Sequence, residues 1–330
     1  MPSDETGPRE RRTELLIGVD IGGTKTACIL GDAEGNTVDK ISFATDHRGG
    51  PAAVLKRVCA EVTKLQEGRQ VQAVGVSCGG PLDSAAGVVL GPPNLPGWDS
   101  VPVVRVLAEA CGLPTRLEND ANAGALAEWR LGAGRGCRNM IFITAGTGLG
   151  CGLIVDGRLY GGTNDMAGEA GHIRLAPLGP RGYGKSGSFE GFCSGGGIGR
   201  LAGMMLRDAD RRGRQSCLFA PWLEEPLTAK AVAEAAHAGD ALACEILHCA
   251  GSRLGEGLSV LIDVLNPEVI VLGSLAVRLG ERYLGPAREV IGREALVRSA
   301  AVCRVVPAEL GERAGEVAAL CVALEAAAGG

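Results

Sequence analysis

Two glycine-rich segments, each placed between apolar runs, constrain the fold of this chain more than any other feature of its sequence. The first is D-I-G-G-T-K at 20–25, between LLIGVD and TACILGD. The second is T-A-G-T-G-L-G-C-G at 144–152, which follows the apolar run NMIFIT. Glycine between short apolar runs is typical of a β-hairpin tip, where the backbone needs positive φ or close approach to a ligand. Two such hairpins predict a duplicated α/β fold.

The periodicity of the rest of the chain predicts helices and strands in alternation, with mixed sheets. Around the two hairpins we expect strands at 36–45, 71–77, 114–119, 268–273 and 301–307, and helices near 51–66, 101–111, 199–212, 228–238, 240–264, 281–296 and 314–328. The stretch 161–198 is rich in loops, and residues 1–13 are expected to form a disordered tail.

Length, charge and cysteine usage narrow the class of protein. A chain of 330 residues exceeds one ordinary domain, so we expect two lobes with a cleft between them. A formal net charge of −5 excludes the basic excess that nucleic-acid binding needs. The twelve cysteines are scattered without a C-x-x-C pair, and neither a signal sequence nor a membrane-spanning segment is evident. The sequence therefore predicts a cytoplasmic protein with no nucleic-acid or membrane partner.

The first glycine segment has the residue types that phosphate binding requires. Gly22 and Gly23 allow backbone N–H groups to approach an anion, Thr24 adds a hydroxyl and Lys25 a positive charge. Asp20, at the end of the strand, is able to hold Mg²⁺ through water. The alternative is a plain hairpin turn, since G-G turns between strands are common.

The second glycine segment places Gly146, Thr147 and Gly148 between apolar strands. It contains more glycine than a packing strand needs, so we interpret it as a second phosphate-binding turn. A dinucleotide-binding fingerprint would require a helix after the glycines, whereas CGLIVDG is typical of a strand. The segment therefore argues against a dehydrogenase that binds a dinucleotide cofactor.

Asp120, in the segment E-N-D-A-N at 118–122, lies where a strand gives way to an Ala-rich helix. A carboxylate at such a junction is a candidate general base for removing a hydroxyl proton during phosphoryl transfer. The alternative is an ordinary helix N-cap, because aspartate is among the preferred capping residues.

Three further polar side chains lie in the glycine-rich stretch that follows the second turn. Glu169 and His172 belong to G-E-A-G-H, and Glu190 belongs to F-E-G-F. Carboxylates and an imidazole can exchange hydrogen bonds with several hydroxyls of a polyol at once. The alternative is a solvated loop with a structural histidine.

The string G-P-R-G-Y-G-K-S at 179–186 satisfies the phosphate-loop pattern G-x-x-x-x-G-K-[ST] and predicts a different class of nucleotide-binding protein. That motif requires a buried strand before it and a helix directly after it. Here APLGPRG precedes it and GSFEGFCSGGG follows it, and V-L-I-D at 260–263, the only Walker B candidate, falls in a long helical run. We therefore favour a chance match.

DIGGTK, ENDAN, TAGTGLGCGLIVDG, GEAGHI and NPEVIVLG occur in an order and spacing that resembles the ROK family of sugar kinases and repressors, from about 15 to 328. The resemblance implies an α/β actin-like ATPase fold with two ribonuclease-H-like lobes, 14–119 plus 314–330 and 120–313. It implies Asp120 as the base and a homodimer as the expected assembly. The residues implied in ATP binding are Asp20, Gly22, Gly23, Thr24, Lys25, Thr144, Gly146, Thr147, Gly148, Gly273 and Ser274. Those implied in sugar binding are Asn94, Asn119, Asp120, Glu169, His172 and Glu190.

The chain departs from the family pattern at two places. Most members hold a structural zinc with the histidine of GHI and three cysteines, but Arg181, Tyr183 and Ser188 stand at the cysteine positions. Without thiolates we expect no zinc, with His172 left to the sugar and the loop ordered by hydrogen bonds and packing. The second departure is LGSLA at 272–276, where the family more often has two glycines. This second departure affects how the adenine and ribose of ATP would be bound.

The resemblance implies transfer of a phosphoryl group from Mg-ATP to a hexose hydroxyl, with O6 of glucose or a related hexose as the expected acceptor. Kinases for N-acetylated or amino hexoses, fructose or allose stay open as alternatives. A sugar-responsive repressor is the alternative of another class. Only about fourteen residues precede the first strand, too few for a helix-turn-helix head, so the kinase is favoured.

Overall fold

The computed structural model describes residues 14–329, so the predicted tail at 1–13 lies outside the described residues. The described chain falls into two compact units. The first comprises residues up to Asn119 together with those from Gly315 onward, and the second comprises Asp120–Ala314.

The first unit is built around a five-stranded sheet. Its elements, in chain order, are β1 Leu15–Ile21, β2 Lys25–Asp32, β3 Thr37–Ala44, α1 Gly50–Gln66, β4 Val71–Cys78, β5 Leu82–Asp83, β6 Val88–Val89, α2 Val103–Cys111 and β7 Thr115–Asn119, with a 3₁₀ turn at His47–Gly49. The order in the sheet is β3-β2-β1-β4-β7. The strands β1, β2 and β3 are antiparallel neighbours, whereas β4 and β7 run parallel to β1.

The second unit repeats this plan. Its elements are α3 Asp120–Leu131, β8 Met140–Ala145, β9 Leu149–Val155, β10 Arg158–Leu159, β11 Arg181–Gly182, β12 Lys185–Ser186, α4 Phe189–Cys193, α5 Gly195–Arg211, α6 Phe219–Glu224, α7 Ala229–His237, α8 Ala241–Leu265, β13 Val269–Leu272, α9 Ser274–Leu279, α10 Glu281–Glu294, α11 Val297–Val302 and β14 Arg304–Pro307, with 3₁₀ turns at Ala170–His172 and Gly311–Arg313. The order in its sheet is β10-β9-β8-β13-β14, again with two antiparallel and two parallel pairings.

The duplicated fold predicted from the two glycine-rich hairpins is confirmed. Each sheet begins with a hairpin whose tip is one of the two glycine segments, β1–β2 in the first unit and β8–β9 in the second. In both, the first strand of the hairpin lies at the centre of the sheet. The prediction of α/β architecture with mixed sheets is confirmed as well.

The last helix, α12 Ala314–Ala328, returns to the first unit and covers one face of its sheet. Two glycines in the central strands make this close packing possible. A Cβ at Gly18 would lie 2.8 Å from the Cβ of Ala319, and one at Gly75 would lie 2.0 Å from the backbone nitrogen of Ala323. The opposite face packs against α1 and α2 through a separate apolar cluster. The central strands of the sheet are therefore buried on both faces, whereas the edge strand β3 is largely exposed.

Two predictions of local structure are wrong in part. The predicted strand at 301–307 begins only at Arg304, because α11 takes up the residues before it. In the stretch 161–198, α4 and the first turn of α5 replace part of the expected loop, and α5 begins at Gly195 rather than near 199. Because glycine is a poor helix former, helix propensity does not predict the first turn of α5, which begins with three glycines.

Candidate active site

The residues predicted to carry the chemistry fall into two groups. One group lies in the first unit, namely the turn 20–25 with Asn94 and Asn119, and the other lies in the second unit with Asp120. Each group is described by itself.

The first glycine segment forms the tip of the β1–β2 hairpin. The N–H of Gly22 donates to the carbonyl oxygen of Lys25 at 3.0 Å, which closes the turn. A Cβ at Gly23 would lie 2.6 Å from the carbonyl oxygen of Asn94, so no larger residue fits there without displacing the backbone. Thr24 and Lys25 are exposed at the tip. Exposed polar groups and a side-chain-free backbone are what a phosphate group needs to approach closely.

Two asparagines lie close to a second pair of glycines in the first unit. Gly79 and Gly80 follow β4, and a Cβ on Gly79 would lie 3.3 Å from Oδ1 of Asn94. A Cβ on Gly80 would lie 2.9 Å from Nδ2 of Asn119, the last residue of β7. Because β4 and β7 are parallel neighbours, their carboxyl ends bring both amides to the same edge of the sheet. Sequence reasoning alone did not single out these glycines.

Asp120 is the first residue of α3 and keeps solvent-accessible surface. Protein atoms nevertheless surround its carboxylate, and this burial raises its pKa above the ordinary value. Backbone N–H groups at the start of the helix act in the opposite direction, while the negative charge of Glu169 raises the pKa further. A carboxylate with a raised pKa is a stronger base than an ordinary aspartate once it is ionised.

The glycines of β9 fix the position of α3 and hence of Asp120. A Cβ at Gly150 would lie 2.9 Å from the Cβ of Ala121, and one at Gly152 would lie 2.6 Å from the carbonyl oxygen of Ala121. The second glycine segment therefore has two structural roles. Residues 146–148 form the turn, and Gly150 and Gly152 allow α3 to pack closely against β9. The interpretation of the whole segment as too rich in glycine for a packing strand is wrong for these two positions.

Glu169 lies close to the same strand. Gly168 adopts φ +86°, and a Cβ there would lie 2.1 Å from the carbonyl oxygen of Cys151. Burial, together with the charge of Glu169, raises the pKa of the Cys151 thiol to about 12. Glu169 itself is exposed. The negative charge of Glu169 thus acts on Asp120, and both residues have solvent-accessible surface.

Glu190, in α4, connects this region with the second glycine turn. Its Oε2 accepts a hydrogen bond of 3.1 Å from the N–H of Leu149, the first residue of β9. The same oxygen would lie 2.8 Å from a Cβ at Gly148. One residue predicted for the sugar therefore contacts the turn predicted for the phosphates.

The second glycine turn lies against the start of α5, which sequence reasoning missed. The N–H of Gly195 donates to the carbonyl oxygen of Gly146 at 2.8 Å, and a Cβ at Gly196 would lie 2.9 Å from the carbonyl oxygen of Thr147. Ser194 caps the helix by accepting from the N–H of Gly197. The positive end of a 17-residue helix is thereby placed beside the turn, which favours a bound anion. The signal available in the sequence was S-G-G-G.

Gly273 lies at the junction of β13 and α9, where Ser274 begins the helix. Its N–H donates to the carbonyl oxygen of Ile143 at 2.7 Å. A Cβ at Gly273 would lie 3.3 Å from Cα of Thr144. The junction implied in nucleotide binding is therefore a direct neighbour of the second glycine turn.

The Walker-like string at 179–186 folds into the β11–β12 hairpin, so its interpretation as a phosphate loop is wrong. No helix follows Ser186 directly, because Ser188 first caps the short helix α4. Nζ of Lys185 donates to the carbonyl oxygen of His172 at 2.5 Å. The ring of Tyr183 meets the imidazole of His172 edge-on, with centroids 5.1 Å apart. The hairpin therefore supports the residue predicted to contact the sugar.

The donor groups in this hairpin do not fit the zinc site of the family. Arg181 is a cation, and the Ser188 hydroxyl is a buried helix cap that accepts from the N–H of Gly191 at 3.1 Å. Within residues 14–329 no three histidine, cysteine, aspartate or glutamate side chains are arranged to hold a metal ion. Hydrogen bonds connect residues of the loop, including one from Oγ of Ser186 to the Gly179 carbonyl and one from Arg174 to the Ser186 carbonyl.

No helix in the described part of the chain has the length and apolar character to cross a membrane. The family model described as "ROK family" matches residues 16–326. A glucokinase of Thermotoga maritima is 32% identical over 312 residues, which cover 94% of this chain and 97% of that protein.

Solved structures share the fold, among them a hexokinase and a glucokinase. The ROK hexokinase of Thermus thermophilus superposes with a TM-score of 0.80 at 31% identity, covering 96% of this chain and 100% of that one. A ROK family glucokinase from Streptomyces griseus, solved with glucose and AMPPNP, gives a TM-score of 0.75 at 34% identity and covers 94% and 99% of the two chains. The actin-like ATPase fold and the resemblance predicted from the motifs are both confirmed. With two hairpin-led sheets, an aspartate at the start of α3 and a family match along almost its whole length, this chain belongs to the ROK family.

Proposed function

We propose that this protein is an ATP-dependent hexose kinase that phosphorylates O6 of glucose or a closely related hexose, with Asp120 as the general base. The observation that carries the proposal is the environment of Asp120. It begins a helix fixed by glycine packing, stays accessible to solvent, and has its pKa raised by burial and by Glu169. The similarity to a Streptomyces griseus glucokinase solved with glucose and AMPPNP supports the same reaction.

The chemistry assigned to Asp120 is a single proton transfer coupled to phosphoryl transfer. Its carboxylate accepts the proton of the hexose hydroxyl, the hydroxyl oxygen bonds to the γ-phosphorus, and the bond from that phosphorus to the bridging oxygen breaks to release ADP. The products are a hexose phosphate and ADP, and the proton remains on Asp120 until solvent removes it. Proton transfer by a positioned base contributes roughly 10²- to 10⁴-fold to such a rate.

The two glycine turns are assigned to the phosphates of ATP. Backbone N–H groups at 23–24 and 146–148, with Thr24, Lys25 and Thr147, supply donors and positive charge, while Gly22 closes the first turn. Thr144, Gly273 and Ser274 belong to the same nucleotide assignment. LGSLA carries a serine where the family more often has a second glycine, and this departure bears on the contacts with adenine and ribose.

Asp20 is the residue that would hold Mg²⁺, through water. The donor chemistry fits, because a carboxylate oxygen suits a hard cation and Gly315 leaves room beside Oδ2 of Asp20, where a Cβ would come within 3.3 Å. When bound, Mg²⁺ neutralises part of the charge on the transferred phosphates.

Recognition of the sugar is assigned to side chains that can exchange hydrogen bonds with several hydroxyls. These are Asn94, Asn119, Glu169, His172 and Glu190, in addition to Asp120. We further propose that the two compact units act as the two lobes of the family, that the enzyme is cytoplasmic, and that it forms a homodimer, the commonest closed assembly.

A coupled ADP-release assay across a panel of hexoses tests the proposal. Glucose, mannose, fructose, allose, glucosamine and two N-acetylhexosamines are each supplied with Mg-ATP, and a reaction without sugar is the control. We expect sugar-dependent ADP release with one preferred hexose and very slow hydrolysis without sugar. Equal ADP release with and without sugar would contradict a kinase. A preference for an N-acetylated hexose would replace glucose in the proposal but leave the mechanism intact.

A further inference from the structure

Three consecutive carbonyl groups of the first phosphate turn accept hydrogen bonds from one short segment, Thr45–His47, which follows β3. Oγ1 of Thr45 donates to the carbonyl oxygen of Gly22 at 2.7 Å, and Nε2 of His47 lies 2.6 Å from the carbonyl oxygen of Gly23. The N–H of Thr45 donates to the carbonyl oxygen of Thr24 at 3.0 Å. The segment Thr45–His47 therefore fixes the turn 22–24 one peptide after another.

The acceptors settle the proton positions in this arrangement. A carbonyl oxygen can only accept, so Nε2 of His47 carries a proton and donates it to Gly23. The Thr45 hydroxyl has one proton, which it gives to Gly22, so its 2.9 Å contact with the hydroxyl of Thr26 is a bond that Thr26 donates. Thr26 and Thr45 are 0% and 6% exposed, which protects the relay from competing water.

Fixing these carbonyls also sets the direction of the N–H groups in the same peptides. In a trans peptide the C=O and N–H bonds point to opposite sides. When the Gly22 carbonyl points to Thr45, the N–H of Gly23 points away from it, and when the Gly23 carbonyl points to His47, the N–H of Thr24 does the same. A turn with successive N–H groups on one side is suited to an anion.

We propose that the segment Thr45–His47 is the positioning element of the first phosphate turn. It acts through the backbone, by turning the N–H groups of Gly23 and Thr24 toward the phosphates of the nucleotide, and it does not touch the substrate itself. The inference rests on the proposed function, since it takes the turn to be a nucleotide site. It predicts that affinity for nucleotide, and not for sugar, depends on Thr45 and His47.

The test is calorimetric titration of the full-length protein with Mg²⁺ and AMPPNP, and separately with glucose. Thr45→Val removes the hydroxyl at constant shape, and Thr45→Ser restores it. His47→Ala removes the ring, and His47→Gln supplies another side-chain N–H. Thr63→Val is the matched control, because the Thr63 hydroxyl also donates to a backbone carbonyl, that of Cys59 at 2.9 Å, within α1.

We expect Thr45→Val and His47→Ala each to weaken AMPPNP binding about tenfold, the effect of one well-placed hydrogen bond. Glucose affinity should change less than about twofold, and Thr45→Ser, His47→Gln and Thr63→Val should bind AMPPNP within about threefold of the unsubstituted protein. Should Thr45→Val fail to fold, the exposed His47 carries the test.

Two results would overturn the inference, and they are distinguishable. If the unsubstituted protein binds AMPPNP and both Thr45→Val and His47→Ala bind it equally well, the positioning role is wrong and the proposed kinase function stands. If the unsubstituted protein binds no AMPPNP at millimolar concentration, the proposed function fails and the inference fails with it.

Discussion

Replacing Asp120 with asparagine removes the proposed base while keeping the shape of the side chain. An amide cannot take the proton of a sugar hydroxyl, whereas it can still exchange hydrogen bonds with that hydroxyl. The expected result is a loss in kcat of about 10²- to 10⁴-fold, which corresponds to roughly 3–5 kcal/mol of transition-state stabilisation. The KM for the sugar should change far less than kcat.

The effect of the same substitution on folding is much smaller, so the two effects can be separated. Asp120 is the first residue of α3, where a negative charge interacts favourably with the helix dipole by about 0.3–1 kcal/mol. Its solvent-accessible position points to the lower end of that range. A catalytic loss of 3 kcal/mol or more cannot be mistaken for the effect of a lost helix charge.

The raised pKa of Asp120 adds a pH dependence with a definite sign. Because the folded protein favours the protonated carboxyl, this carboxyl stabilises the fold most below its unfolded pKa, and that contribution is lost as the pH rises through the folded pKa. An asparagine, which stays neutral, should therefore not lose this contribution at pH 7. The lost helix-dipole interaction acts in the opposite direction, so we expect Asp120→Asn to unfold at a temperature close to that of the unsubstituted protein at neutral pH. The acid limb of kcat/KM should lie above the ordinary aspartate pKa of 3.8.

The assay is coupled ADP release with the best hexose of the panel, measured from pH 4.5 to 9 together with thermal unfolding. Asp240→Asn is the matched control, because Asp240 caps α8 by accepting from the N–H of Ala243 at 2.9 Å. Asparagine caps a helix as well as aspartate does, so the control should keep its activity. Retention of more than about a tenth of the unsubstituted kcat by Asp120→Asn would refute the assignment of Asp120 as base.

Three further predictions test the surroundings of the site. Gly152→Ala places a methyl group 2.6 Å from the Ala121 carbonyl oxygen, so differential scanning fluorimetry should show destabilisation of about 1–3 kcal/mol. Gly292→Ala is the control and should be neutral or stabilising, because no atom lies within 4 Å of the added Cβ. Equal melting temperatures for the two variants would contradict the packing argument. Lys185→Ala breaks the hydrogen bond to the His172 carbonyl and should raise the KM for the sugar by about threefold to tenfold, with the KM for ATP unchanged. Loss of ATP turnover would instead support the phosphate-loop interpretation. Elemental analysis of purified protein should find well under one zinc per chain, and activity should return fully when Mg²⁺ alone is restored after chelation; a requirement for zinc would contradict the assignment of the hairpin.

The fold could be predicted from the sequence wherever one local signal dominated. Glycines between apolar runs identified both hairpins, and the helices at 50–66, 241–265 and 314–328 were predicted to within one residue at each end. The strand predicted at 301–307 was placed too early, because the short apolar run at its start fits a strand and a helix equally well and instead ends α11. The start of α5 was missed, since three glycines oppose the helix and only the Ser194 cap and the packing of the helix against the second turn support it.

The site was predictable in its residue types but not in its contacts. Asp120 was singled out at a strand-to-helix junction, and the family resemblance favoured a base over an ordinary helix cap. The raised pKa of Asp120 depends chiefly on burial and also on Glu169, which is distant in sequence. The hydrogen bond between Glu190 and Leu149 joins residues that no local sequence pattern connects, and so does the hydrogen bond between His47 and Gly23. Sequence periodicity reports which residues share a face and does not report which polar atoms meet across elements.

The hairpin beside His172 changes how the protein responds to its chemical surroundings. A loop held by a bound ion gains stability in proportion to the logarithm of the free ion concentration, so its order is shared with the cellular metal supply. Here the order of the loop is encoded in Lys185, Ser186 and Ser188, whose hydrogen bonds do not depend on any dissolved species. Serine and lysine are also inert to the oxidants that convert metal-binding thiolates to sulfenic acids. The order of this hairpin is therefore expected to be insensitive to zinc chelators and to oxidants that attack thiolates.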